Sequence, residues 1–128
     1  MGEEEVRIIL PIPPKILSPN KPVFSKGGRI GKAVATKRMR RLAQEAVLEC
    51  NIETTPWEKV SVSAKFFHKN NRRRDGANYN AMLKGAFDGI VDSGLVPDDD
   101  HTHWTTQPPE FFVDKDNPRT EIIIKREK

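Results

Sequence analysis

Four aspartates stand at two places in the chain where carboxylates are useful for chemistry. Asp75 directly follows Arg72-Arg73-Arg74, and Asp98-Asp99-Asp100 follow Pro97. Two or three carboxylates brought into one place repel each other, and a divalent cation removes that cost. Mg²⁺ suits such a set, because it takes a few carboxylates and completes its shell with water and phosphate oxygens. Lys65, His68, Lys69 and the three arginines lie just before Asp75. Phosphate-holding cations beside metal-holding carboxylates are the ingredients of a phosphodiester hydrolase. Each residue also has a plainer use. Asp75 is placed to cap a helix N-terminus, Asp98 to Asp100 suit a solvated turn, and Lys84 and Asp88, four apart, suit a surface helical ion pair. Lys84 lies about two turns beyond position 77 on the same helical side, so its ammonium is expected to face the helix start.

Other reactive residue types carry less. His101 and His103 have no obvious clustered partner for zinc. Cys50, the single cysteine, excludes an intrachain disulfide and a cysteine-rich zinc site, and its place on an apolar helical stripe marks it as a small buried hydrophobe. Trp57 and Trp104 have rings that stack on bases, but in a chain with nine aromatic residues most are expected in the core.

Charge is divided unevenly. Residues 6–44 carry ten basic side chains (Arg7, Lys15, Lys21, Lys26, Arg29, Lys32, Lys37, Arg38, Arg40, Arg41) and no acid, while the remainder carries twelve basic against eighteen acidic residues. The net +4 therefore conceals +10 in one third and −6 elsewhere. Such a field suits a polyanion, because each phosphate neutralised releases condensed counterions.

The elements that position these groups follow from periodicity. Val6 to Ile12 reads as a first strand, stopped by Pro11, Pro13 and Pro14. Lys15 to about Lys32, with Pro19, Asn20, Pro22 and Gly27-Gly28, reads as a mobile loop that includes a short hairpin at the glycines. Met39, Leu42, Ala43, Ala46, Val47 and Cys50 form the stripe of an amphipathic helix from about Ala33 to Cys50. Val60, Val62, Ala64 and Phe66 alternate with Ser61, Ser63, Lys65 and Phe67 as a strand with one buried face. Tyr79, Met82, Leu83, Ala86, Phe87, Ile90 and Val91 mark a second helix, ended at Ser93-Gly94. Trp104–Gln107 and Thr120–Lys125 read as closing strands separated by Pro108-Pro109 and a turn over Asp114 to Pro118. The expected fold is mixed α+β, a small mixed sheet packed with two main helices.

At 128 residues the chain fits one domain, 1–128. It has no run resembling a membrane span, and its acidic start is unlike a signal peptide. A cytoplasmic protein without a membrane partner is expected.

The stretch from Arg72 to Asp100, with Asp75, Asn78, Lys84, Asp88, Gly94 and Asp98-Asp99-Asp100 in order, resembles the core signature of the RusA family of Holliday junction resolvases. Leu10-Pro-Ile-Pro-Pro14 with Asn20 downstream resembles the family's opening, so the resemblance covers most of the chain. It implies a homodimeric, Mg²⁺-dependent endonuclease of DNA recombination and repair, with Mn²⁺ as a substitute and no small-molecule cofactor. Its substrates are four-way junctions and branched DNA, cut by paired symmetric nicks. Asp75 and Asp99 match metal-binding carboxylates and Lys84 the helical lysine that stabilises a developing oxyanion. Asn78, Lys69, Arg72, Arg73 and Arg74 match nucleic-acid contacts, with Lys26 and Arg29 as candidates for contact to the junction arms. The family's second carboxylate falls on Ala77, which offers neither ligand nor base. A divergent non-cleaving member and an Asp→Ala change in an active one both leave this gap, so weakened or absent cleavage is expected. The rival from another class is a non-catalytic junction or nucleic-acid binding module.

Overall fold

Alternation of apolar and polar residues over Val60–Phe66 starts a strand, Val60–His68, whose even-numbered side chains are buried and whose odd-numbered ones are half-exposed. This strand is the fourth element of a chain for which the computed structural model describes residues 4–19 and 24–127. The order is β1 (Glu5–Leu10), a 3-10 turn (Lys15–Leu17), α1 (Lys26–Glu49), β2 (Val60–His68), α2 (Gly76–Met82), α3 (Lys84–Asp92), β3 (Trp104–Thr106), β4 (Glu110–Val113) and β5 (Arg119–Arg126). The mixed α+β architecture expected from the sequence is the one observed.

One mixed sheet holds all five strands. β5 lies between β1 and β2 and runs antiparallel to both, pairing Ile8 with Ile122 and Ile122 with Ala64. The other edge of β2 is shared by two short parallel strands, β3 along Val60–Val62 and β4 along Lys65–His68. Pro108 and Pro109 stand between them and lack the N–H a ladder needs, which splits this edge in two. Gln107 is the last donor before the break, giving its N–H to Val62 O at 2.8 Å.

One sheet face carries the core. Val6, Ile8, Val60, Val62, Ala64, Phe66, Ile122 and Ile124 meet Met39, Ala43 and Val47 of α1 and Ala86 and Ile90 of α3 in one buried cluster. A large side chain buried this completely contributes roughly 1.5–3 kcal/mol by transfer from water. Trp57 and Trp104 are also buried there, which removes both as base-stacking surfaces. α1 and α3 approach closely because α3 has glycine where they touch. A Cβ on Gly89 would stand 2.1 Å from Arg40 O, and one on Gly85 would stand 2.8 Å from Thr36 O. The Arg40 guanidinium closes the same junction with a two-pronged bond to Asp92, at 2.5 and 2.9 Å.

Several expectations need correction. Within Lys15–Lys32 the described residues form a 3-10 turn at Lys15–Leu17 and the first turns of α1 from Lys26, so the glycines lie in a helix and not in a hairpin. Ser25 caps that helix by accepting the Gly28 N–H at 3.0 Å, so Gly27 and Gly28 enter the first turn, where backbone donors lack intrahelical partners anyway. Asn20, Lys21 and Pro22 lie outside the described residues. α1 therefore starts seven positions before Ala33. Cys50 is exposed rather than buried, and its Sγ–H reaches Ala46 O at 3.3 Å. The second helix is two, because Leu83 leaves helical geometry at φ −91°, ψ 5° while its side chain is fully buried. β4 was missed: Glu110 to Val113 lie between two turn signals and are too short for alternation to show. The first strand ends at Leu10, before the prolines. Among the described residues, no helix is long and apolar enough to cross a membrane.

Candidate active site

The segment that leaves β2 carries the arginines. Arg74 folds back over its own loop, donating to Asn70 O at 3.2 Å, Arg72 O at 2.7 Å and Asn70 Oδ1 at 3.0 Å. Its guanidinium thus shapes the turn that delivers Asp75, while Lys69, Arg72 and Arg73 remain exposed. Asp75 caps α2, as its position before Gly76 suggested. Its Oδ1 accepts the N–H groups of Ala77 at 3.0 Å and Asn78 at 3.3 Å. Ala77 is exposed on the first turn. The Asn78 amide oxygen accepts from the Ser18 hydroxyl at 2.9 Å, which ties α2 to the segment after the 3-10 turn.

The second half of the site gathers on α3. Lys84 is its first residue, and its ammonium lies 2.5 Å from Asp99 Oδ2 and 3.1 Å from Asp88 Oδ1. The Asp99 bond raises the lysine pKa and burial opposes it, with Asp88 adding a further rise. The same bond holds the Asp99 carboxyl below its ordinary value, against a smaller opposing effect of burial. Both groups are thereby held charged. The lysine was expected to face the helix start. The break at Leu83 removes the continuous helix on which that expectation rested, and the ammonium turns to the Asp98–Asp100 loop.

The aspartate triplet divides its work. Asp98 Oδ1 accepts the Asp99 N–H at 2.7 Å, and Asp99 takes Lys84. Asp100 closes a turn by accepting from the Thr102 N–H at 2.9 Å and the Thr102 hydroxyl at 2.5 Å, which lowers its pKa. His103 Nδ1 lies 2.6 Å from Glu58 O, and His101 is exposed.

The fold thus brings Lys84, Asp88 and Asp99 together, and separately joins Asp75, Ala77 and Asn78 at the α2 start. No hydrogen bond or ion pair joins the two sets among the described residues. No cluster of three or more His, Cys, Asp or Glu side chains is assembled there either. Asp75 and Asp99 are oxygen donors of the right kind for Mg²⁺, but each already accepts hydrogen bonds from the protein. As placed, they do not form a preassembled metal site. Lys26 and Arg29 lie on the exposed first turn of α1, remote in sequence from both sets.

Comparison with known proteins adds no identification. The chain matches no family model and no curated protein.

Two participants were less visible in the sequence. Asp88 stands in the sequence as a helical partner of Lys84 and as a position of the resembled signature without a role of its own, yet it is part of a three-residue charge cluster. Ser18 had no signal at all, because sixty residues separate it from Asn78. Next to the α2 start lies His68, with its ring buried among Phe66, Tyr79 and Phe111 at centroid distances of 5.3–6.4 Å. Its Nε2 is buried without a partner. Burial, and then the Arg74 charge, push the His68 pKa down.

Proposed function

We propose that this chain is a RusA-like protein of branched DNA, built as a Mg²⁺-dependent endonuclease of four-way junctions that acts as a homodimer. The observation that carries the reading is the charge-held cluster of Lys84, Asp88 and Asp99, on the chain stretch that also supplies the exposed Arg72, Arg73 and Asp75. Lys84 is two-thirds exposed, so a scissile phosphate can approach its ammonium, while Asp99 holds the group at the mouth of the loop. Asp75 and Asp99 are the oxygen donors this reading assigns to Mg²⁺, which would supply Lewis-acid chemistry at a phosphate oxygen. A pair of two-fold related sites suits a substrate that needs two symmetric nicks.

Ala77 sits on the first turn of α2, where the family pattern has a carboxylate, and this gap limits the chemistry. Cleavage is therefore slow or absent in the chain as it stands, while binding remains. The second reading, a non-catalytic junction-binding module, is favoured by the same gap and by the existing neutralisation of Lys84. A junction-nicking assay on this chain and its Ala77→Asp variant, with Mg²⁺ and Mn²⁺, separates the two. Symmetric nicks that appear or accelerate by about 100-fold or more in the variant support the nuclease, since misplacing a reacting group by about 1 Å costs on that order. A variant that binds junctions and stays inert in both metals supports the binding module.

A further inference from the structure

Both tryptophans are buried, so the aromatic surface available to a nucleic acid lies elsewhere. Phe24 is 86% exposed, immediately before the Ser25 cap of α1. Ile30 and Val34 are 55% and 61% exposed on the first half of that helix. Lys26, Ile30, Val34, Lys37 and Arg41 recur at spacings of three and four, which sets them along one face of α1. Met39, Ala43 and Val47 occupy the opposite, buried face. Large apolar side chains left in water on a cation-lined surface mark a place where something binds.

Charge selects the occupant. No acid occurs from residue 6 through 44; Arg40, on another side of α1, is already tied to Asp92, and Arg41 has a long, exposed pair with Glu45 at 3.8 Å that leaves it open to a phosphate. A second copy of this chain laid on this face would set Lys37 and Arg41 against the same cations of its mate. An acidic polymer with apolar faces avoids that repulsion, and a nucleic acid with unstacked bases is such a polymer. Proteins that bend or open DNA insert apolar side chains beside a base step while cations hold the flanking phosphates.

We propose that Phe24 stacks on bases unpaired or unstacked at the branch point, with Ile30 and Val34 as further exposed apolar side chains on the helix it precedes, while Lys26, Arg29, Lys37 and Arg41 hold the adjoining phosphates. This rests on the branched-DNA reading and adds to it a residue that discriminates branch from duplex. The bases at a branch point are the least stacked in the substrate, so the energy needed to expose them is small there and large in linear duplex.

The test uses the full chain and a four-way junction with 2-aminopurine at the branch, beside a linear duplex of the same sequence. Phe24→Ala is expected to weaken junction binding about 5- to 150-fold, the range for loss of one stacked base. It should leave duplex affinity and the salt slope unchanged, and abolish the rise in 2-aminopurine emission on binding. Phe24→Trp should keep both the junction affinity and the emission rise. Lys37→Gln with Arg41→Gln should instead reduce the salt slope and weaken both DNA forms together. Phe24→Ala that binds the junction as tightly as the parent, with the same emission, overturns the inference while leaving junction binding intact. A Phe24→Ala variant that turns a dimer into a monomer assigns the face to a second copy and also overturns it. A parent chain that binds no junction overturns the function beneath it as well.

Discussion

Replacing Gly89 by alanine tests the packing that places Lys84 and Asp88. On propensity alone, the change should stabilise a helix interior by up to about 1 kcal/mol. Contact geometry decides otherwise. The new Cβ would lie 2.1 Å from Arg40 O, 2.9 Å from Arg40 C and 3.1 Å from Ala43 Cβ. The first two neighbours are backbone inside a 24-residue helix, so no side-chain rotation relieves the overlap. α1 and α3 would have to separate by more than 1 Å, loosening the layer that holds Met39, Ala43, Ala86 and Ile90. Overpacking of this kind costs roughly 1–3 kcal/mol, and partial loss of the Arg40–Asp92 bond adds to it. The net expectation is a loss of about 2 kcal/mol, read as a lower urea midpoint at unchanged slope. Gly27→Ala is the control, because nothing lies within 4 Å of its Cβ, and it should be neutral or gain about 0.5 kcal/mol. If Gly89→Ala is as stable as the parent, the close approach of α1 and α3 is not as described.

Two further perturbations address titrating groups. His68→Phe should stabilise the protein by about 1 kcal/mol, because it removes a buried nitrogen without a partner from a nest of rings. It should also flatten a pH dependence. The folded-state pKa of His68 lies below 6.5, so the unfolded chain takes up the proton first, and stability is full above pH 6.5 and declines as pH falls toward the lowered value. Denaturation midpoints between pH 5 and 8 check this. Lys84→Met should change stability by less than about 1 kcal/mol, since the lysine is largely exposed. It should raise the Asp99 pKa toward 3.8, visible in a carboxyl NMR titration. The Lys84 contribution through Asp99 is present above that value and is lost as pH falls through the lowered one.

Periodicity carried most of the fold. β2 was readable because apolar and polar residues alternate without a break from Val60 to Phe66, and α1 because its stripe repeats over several turns. The start of α1 was hidden because two glycines and two prolines nearby speak for a turn, whereas Ser25 and the docking of Leu17 and Ile16 decide for a helix. β4 was hidden because it exists only through its partner: Phe111 and Phe112 gain their places from stacking on Phe66 and Phe67. At the site, the Asp75 cap and the Lys84–Asp88 pair are local and legible in spacing. The 15-residue link from Lys84 to Asp99, and the buried setting of His68, depend on how α3 returns past the sheet, which spacing does not encode.

Recognition of branched DNA by this chain is decided by competition between a four-way junction and a linear duplex of identical sequence across a salt series. The junction should be retained when duplex at large excess is added, and its binding should weaken steeply with salt as several cations release counterions. Equal affinity for the two forms at every salt concentration would contradict it.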